Sequence, residues 1–399
     1  MQAVKVTEKV WWVGAIDWSL KEFHGYTTHR GTTYNAFLVM DEKIALIDTV
    51  KAPYFQEMMQ RIASVVDPSK IDVIVSNHAE MDHSGSLVQA IEAIQPETVY
   101  ASALGKTALD AHFGIGSKIT AVKSGESVRL GANSLSFVET RMLHWPDSMF
   151  TYLSGEKVLF SQDGFGMHLA TAKLFAEEND PAVLLEEATR YYANILLPYS
   201  PQALKLLEAF PSLGLDVAVI APDHGPLWRD DLLTWPLEQY KKFAEQPFQP
   251  NALVIYDTMW HSTEVMANAI ADGVRSTGAG VRVMNLDGHP RSDVVTELMS
   301  ASALVVGPPT INNDMFPRTA DALTYLRGLR PKNKIGAAFG SFGWSGEAVA
   351  KINGYLKDMG AELVSDGLRI KYVPKAADLQ KCFELGQSIG TILLERAGK

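Results

Sequence analysis

His78-Ala79-Glu80-Met81-Asp82-His83 follows directly on Ile71-Asp72-Val73-Ile74-Val75-Ser76, and these two segments decide the fold of the first half of the chain. A short run of β-branched residues reads as a buried strand, and the loop at its C-terminal end can turn alternate side chains into one cavity. Working outward, similar runs recur at Val10–Gly14, at Ala36–Met40 and Ile44–Asp48 around an Asp41-Glu42 turn, and at Val99–Ala101, Leu135–Glu139, Val158–Ser161 and Val217–Ala221. Helical patterns separate several of them, so the stretch from Val6 to about Ala244 is expected to be an α/β sandwich. Three more metal-type side chains stand just past such runs: His144, Asp163 and His224. Together these positions supply four imidazoles and three carboxylates, enough for two metal ions sharing one carboxylate. Taken singly, each also has a structural reading, such as a core-satisfied His144 or a helix-capping Asp82, though the metal reading is the stronger. As a set without a thiolate they lean toward iron or manganese, although imidazoles also suit zinc.

The segment Glu245-Gln246-Pro247-Phe248-Gln249-Pro250-Asn251 interrupts this pattern with two prolines, each disfavouring helix at the residue before it, and places a boundary between domains 1–246 and 251–399. Beyond it strands and helices alternate: Ala252–Tyr256, a helix from Thr263, Val281–Asn285, a helix from Asp293 and Ala303–Gly307. A helix at Thr319–Leu329, a strand at Lys334–Phe339, a helix at Gly346–Asp358, a strand at Glu362–Val364 and a helix at Ala376–Arg396 complete the pattern. That rhythm predicts a doubly wound, five-stranded parallel sheet, whose ligand lies beyond the carboxyl ends of the strands. The first strand runs into Thr258-Met259-Trp260-His261-Ser262-Thr263, a neutral cradle of hydroxyls and helix N-terminal amides that suits a monophosphate. Residues 251–399 contain neither Gly-x-Gly-x-x-Gly nor Gly-Lys-Ser/Thr, which argues against a dinucleotide and a nucleoside triphosphate there. Two further loops, Gly307–Asp314 and Gly340–Gly346, bring amides, small residues and Trp344 to the same edge and favour a flat ring with imide edges, that of flavin mononucleotide (FMN).

Composition narrows the partners. The 399 residues carry 36 Lys and Arg against 46 Asp and Glu, a net charge of −10 that opposes nucleic acid and anionic lipid. No apolar run approaches a membrane span. The single cysteine, Cys382, makes neither an internal disulfide nor a Cys-x-x-Cys pair, and the mixed, charged N-terminus shows no secretory signal, so the cytoplasm is the expected compartment.

Taken together, these residues resemble the flavodiiron proteins, or A-type flavoproteins, in which a metallo-β-lactamase-like αββα domain with a non-haem diiron centre precedes a flavodoxin-like domain with FMN. The resemblance covers essentially the whole chain, with both motif sets in the family's order. Hydrolytic relatives of the first domain read His-x-His-x-Asp-His and hold zinc. Glu80, in the second position, marks the iron family. The resemblance implies that His78, Glu80 and His144 hold one iron, and Asp82, His83 and His224 the other, with Asp163 bridging; His83 is a ligand in some family members and not in others. It also places His24 and Tyr192 near the metal pocket, in catalytic support. FMN contacts map onto Thr258, Met259, His261, Ser262, Thr263, Pro309, Thr310, Asn312, Asn313, Gly340, Ser341, Gly343 and Trp344.

The implied activity is an oxidoreductase passing electrons through FMN to the irons and reducing dioxygen to water, nitric oxide to nitrous oxide, or both. A zinc hydrolase fused to an idle flavodoxin module and a pure electron carrier are the competing readings, separated by metal content. With one cysteine the chain holds no four-thiolate iron centre, so the donor is expected to be a separate protein, rubredoxin in the family. Domains of about 245 and 145 residues have radii of gyration of roughly 18 and 15 Å, so a flavin and a metal centre in different domains of one chain can lie too far apart for efficient transfer. A head-to-tail homodimer, or a tetramer built from two, removes that gap.

Overall fold

A computed structural model describes residues 1–398, which pack into two compact units. One comprises residues 1–23, 28–192 and 199–244; the other comprises 24–27, 193–198 and the chain from Glu245 onward.

In the first unit, the strands Val4–Lys5, Val10–Trp12, Phe37–Val39, Ile44–Ile47, Ile71–Val75, Thr98–Ser102 and Ile119–Val122 lie side by side in chain order. A second sheet holds Ser127–Arg129, Ser134–Glu139, Met149–Leu153, Val158–Gln162, Val219–Pro222 and Trp228–Arg229, also in chain order. Alternation along the strands gives the first sheet two buried faces. Phe37, Val39, Ala45, Ile47, Val73 and Val75 pack with Phe137, Met149, Phe160 and Ala221 of the second sheet. Leu38, Leu46 and Ile74 point the other way, against Met58, Ile62, Leu87 and Ile91 of the helices Phe55–Ala63 and Leu87–Ile94. This is the metallo-β-lactamase-like sandwich. The strand Met149–Leu153, buried at every residue, lies outside the runs read from the sequence.

In the second unit the strand order is Gly280–Asn285, Asn251–Tyr256, Ala303–Gly307, Ile335–Phe342 and Glu362–Leu363, all parallel, with helices between them. This 2-1-3-4-5 order is that of the flavodoxin fold. The fourth strand runs on to Phe342 and its far half pairs with Leu368–Lys371. The loop after Ala303–Gly307 contains a hairpin, Thr310–Ile311 against Asp314–Met315, whose turn residues Asn312 and Asn313 have φ of 51° and 57°. Consecutive left-handed residues are what a tight hairpin turn requires, and Asn tolerates them.

Helices Ser262–Ser276 and Ala376–Arg396 cross at near backbone contact: a Cβ on Gly386 would lie 2.0 Å from the Ile270 carbonyl oxygen, and one on Gly273 2.0 Å from that of Phe383. Gly386→Ala is therefore expected to push the helices apart and destabilise this unit by about 1–3 kcal/mol. A lowered urea midpoint, followed by circular dichroism, is the measurement.

Candidate metal centre and flavin cavity

Four chain segments deliver the metal-type side chains to the first unit. The loop after Ile71–Val75 brings His78 and Glu80 and leads into the short helix Met81–Ser84, which carries Asp82 and His83; His144, Asp163 and His224 follow strands of the second sheet. All seven are buried. Their donor atoms form two sets, His78, Glu80, His144 and Asp163 in one and Asp82, His83 and His224 in the other, each within 4.8 Å. Asp163 faces both. Its Oδ2 lies 3.0 Å from His144 Nε2 and 3.4 Å from His78 Nε2, while its Oδ1 lies 3.2 Å from His83 Nε2 and 3.5 Å from His224 Nε2. Glu80 Oε2 stands 3.2 and 3.0 Å from the Nε2 atoms of His78 and His144, and Asp82 Oδ2 3.1 Å from that of His224.

Spacing of this kind is that of ligands around a common ion: donors about 2.1 Å from a metal and at right angles are about 3 Å apart. Asp82 gives the sharper test. Both its oxygens are buried without a hydrogen-bond partner, a costly state that a cation relieves. The donors therefore fit two ions, and three carboxylates beside four imidazoles with no thiolate fit iron.

Proton affinities in the cluster carry the same message. Burial disfavours a charged His78, yet Asp147 and Glu80 hold its pKa well above the ordinary value; burial likewise opposes a charged His83, which Asp82, Asp163 and Asp223 outweigh. Burial would raise the Asp163 carboxyl, but His83 and His144 keep it well below the usual range. The cage attracts positive charge, and metal entering it displaces protons, so loading weakens as pH falls.

Several residues that the sequence reading did not single out orient the ligands. His78 Nδ1 donates to Asp147 Oδ2 at 3.1 Å, and the same oxygen accepts the Ala79 amide at 2.6 Å. His224 Nδ1 donates to the Thr33 carbonyl oxygen at 2.6 Å, and His83 Nδ1 lies 3.3 Å from Asp223 Oδ2. Asp48 accepts both the backbone and the side-chain amide of Asn77 at 2.7 Å, pinning the start of the ligand loop. His168, 4.4 Å from the His224 ring between centroids, has Nδ1 2.8 Å from Thr32 Oγ1. Asp147 and Asp223 had a faint signal, three residues after His144 and one before His224. Because such partners fix ring orientation, Asp147→Ala is expected to weaken metal binding about 10–100-fold, as read by chelator competition.

Of the two residues assigned to catalytic support, Tyr192 is buried with its hydroxyl donating to Ser200 Oγ at 3.2 Å and its ring packed on Tyr240 and Phe243. His24 is exposed, has φ of 50° and packs with the second unit. The structure thus sets neither among the ligand atoms.

At the strand ends of the second unit a cavity of about 640 Å³ opens between the three expected loops. Every expected FMN contact lines it except His261, Thr263 and Gly340. Thr263 spends its hydroxyl on the Asp257 carbonyl oxygen at 2.5 Å, His261 pairs with Glu264 at 2.6 Å, and Gly340 sits against the Pro308 carbonyl oxygen. Trp260, Ile311, Phe342 and Ser345 of the same loops, not among the expected contacts, join the lining, as do Tyr372 and Val373 from outside those loops. Ser262 starts a helix of 15 residues, whose first amides lack intrahelical acceptors and suit a phosphate, and the aromatic walls suit a flat ring.

Comparison with known proteins matches this geometry. Residues 32–225 match the ODP family beta lactamase and residues 254–386 the flavodoxin family. The chain is 45% identical over 397 residues to the rubredoxin-oxygen oxidoreductase of Megalodesulfovibrio gigas, covering 98% of each chain. It is 43% identical over 395 residues to a nitric oxide reductase of Moorella thermoacetica, covering 97% of this chain and 98% of that one. The solved structure of rubredoxin oxygen:oxidoreductase from Desulfovibrio gigas superposes with a TM-score of 0.97 over 100% of both chains at 43% identity. The flavodiiron protein of Giardia intestinalis superposes at 0.96, with 33% identity over 100% of this chain and 98% of that one.

Proposed function

The chain belongs to the flavodiiron protein family, and on that premise we propose that it is a cytoplasmic reductase which draws electrons singly from rubredoxin into FMN and spends them at a diiron centre on dioxygen, nitric oxide or both. Residues 1–246 hold the metals and 251–399 the flavin. The observation that carries the reading is Asp163, whose two oxygens face separate ligand sets. FMN stores two electrons and a ferrous pair two more, which together match dioxygen to water, while the pair alone matches the coupling of two nitric oxide molecules.

The residues around the groups do the positioning. Asp163, with one oxygen toward each donor set, would hold both ions, which would supply electrons to the bound gas. Asp147 and Thr33, by accepting from the Nδ1 atoms of His78 and His224, leave each Nε2 lone pair free for metal. The Trp145 ring stands edge-on to His78 at 5.1 Å and to His144 at 6.1 Å, excluding water from that side. Thr258 and Ser262 hold the phosphate end of the flavin.

Around the flavin cavity Trp260 and Trp344 are 86% and 87% exposed, and Tyr372 and Val373 are also exposed. An apolar rim of this kind marks a protein-binding surface, and it supports a head-to-tail homodimer in which each flavin faces the partner's metal centre. Rubredoxin as donor is supported by the printed name of the M. gigas relative.

Metal and flavin analysis of the purified protein is the first test: two irons and one FMN per chain agree with the reading, zinc in their place sinks it. Anaerobic rates with reduced rubredoxin then separate dioxygen from nitric oxide. Mixing a flavin-defective with a metal-defective chain is expected to restore partial activity through heterodimers, and a fully active monomer in sedimentation would refute the dimer.

A further inference from the structure

Next to the metal ligands lies a group of residues that neither metal nor flavin uses. The ring of Tyr34 stands edge-on to His224 with centroids 5.9 Å apart, and that of Tyr54 is 5.4 Å further on. Tyr34 is fully buried and Tyr54 half-buried, so the pair runs from a ligand toward the surface. Both phenols meet one carboxylate. The Tyr34 hydroxyl donates to Asp17 Oδ2 at 3.3 Å, and burial together with the nearby Asp17 carboxylate pushes the pKa of the Tyr54 phenol up to about 12. Asp17 is buried and fixed, its Oδ1 accepting from the Ser19 amide, the Ser19 hydroxyl and the Leu20 amide at 3.0, 2.8 and 3.0 Å.

A phenol gives up an electron readily only when its proton has an acceptor in place; Asp17 is such an acceptor for Tyr34 and stands beside Tyr54. We propose that Tyr34 and Tyr54 form an electron relay that supplies a reducing equivalent to the metal centre when dioxygen arrives before the flavin has been recharged. This rests on the oxygen-reducing reading above, since dioxygen is the oxidant.

In the first step the Tyr34 O–H bond breaks, its electron passes by way of His224 to the partly reduced oxygen at the metal pair, and its proton goes to Asp17 Oδ2. In the second, Tyr54 gives an electron to the Tyr34 phenoxyl. Asp17 returns its proton to Tyr34 and takes that of Tyr54. The net change is one electron gained by the oxygen species, one lost by Tyr54 and one proton resting on Asp17. Lys51 sets the direction: its ammonium lies 5.7 Å from the Tyr34 ring centroid and disfavours an electron-poor ring there, so the deficit settles on Tyr54. Without such an exit, an oxidising species short of electrons attacks the ligands that hold it.

The test uses the iron- and FMN-loaded protein, reduced anaerobically with either two or four electron equivalents per chain, mixed with dioxygen and frozen for electron paramagnetic resonance while oxygen uptake is followed in parallel. A tyrosyl signal is expected in the two-electron sample, narrowed by ring-deuterated tyrosine, and an order of magnitude weaker in the four-electron sample. Tyr34→Phe, which removes only a hydroxyl, is expected to abolish it. Tyr54→Phe, further from the metals and without bearing on their binding, is expected to leave a shorter-lived radical of changed hyperfine pattern on Tyr34. Oxygen uptake with no tyrosyl signal, or a signal that survives both variants, overturns the relay while leaving the reductase reading intact. No uptake at either loading overturns the reductase reading itself.

Discussion

Glu80→His is expected to exchange the metal and silence the enzyme: iron falls from about two per chain toward none, zinc replaces it, and turnover with either gas drops by at least roughly 100-fold. Glu80 Oε2 lies within 3.2 Å of two ligand nitrogens, so the replacement changes the donor set itself rather than its surroundings. An imidazole there turns a set of two nitrogens and two carboxylates into three nitrogens with one shared carboxylate, the zinc-type composition. Zinc has no accessible second oxidation state, so a fully loaded variant would still be inert as a reductase. Elemental analysis beside oxygen and nitric oxide uptake measures both parts. Two irons and undiminished rates in the variant would show that Glu80 is no ligand.

Ser262→Asp is expected to give a folded, colourless protein. Ser262 lines the flavin cavity and is the first residue of a 15-residue helix, so a carboxylate at that position faces the phosphate. Two unit charges about 4 Å apart in a partly buried site repel by about 4 kcal/mol, which corresponds to roughly a thousand-fold weaker binding. The same aspartate favours the helix, since an anion at its N-terminus meets the positive end of the dipole. Loss of flavin absorbance with unchanged circular dichroism is therefore the expected pair of results, whereas Ser262→Ala keeps its colour. Retention of FMN at wild-type affinity by Ser262→Asp would move the phosphate elsewhere.

Much of this molecule is legible from local pattern. The five parallel strands of the second unit fall within a few residues of the runs read from the sequence, because each is a short apolar stretch punctuated by a helix of ordinary length. The metal ligands were legible because histidines and carboxylates crowded at strand ends have few other uses. His83 was open on sequence grounds; its Nε2 lies 3.2 Å from Asp163 Oδ1 and its Nδ1 3.3 Å from Asp223 Oδ2, so it stands among the other donors. Within the phosphate cradle the sequence offered four polar side chains, Thr258, His261, Ser262 and Thr263, without ranking them, and in the fold Thr263 and His261 pair with Asp257 and Glu264.

By itself, then, the sequence pointed to which chemistry the chain carries: a two-metal centre, a flavin, and the order of the two folds. These follow from residue type and short spacing, which survive without coordinates. Only the tertiary structure decided which nitrogen of each histidine faces the other donors, that Asp147 and Thr33 hold His78 and His224 so, and that Asp17, Tyr34 and Tyr54 meet beside His224. The reason is distance along the chain: 69 residues separate His78 from Asp147 and 191 separate His224 from Thr33, and hydrogen bonds across such separations leave no periodic trace for a sequence to show.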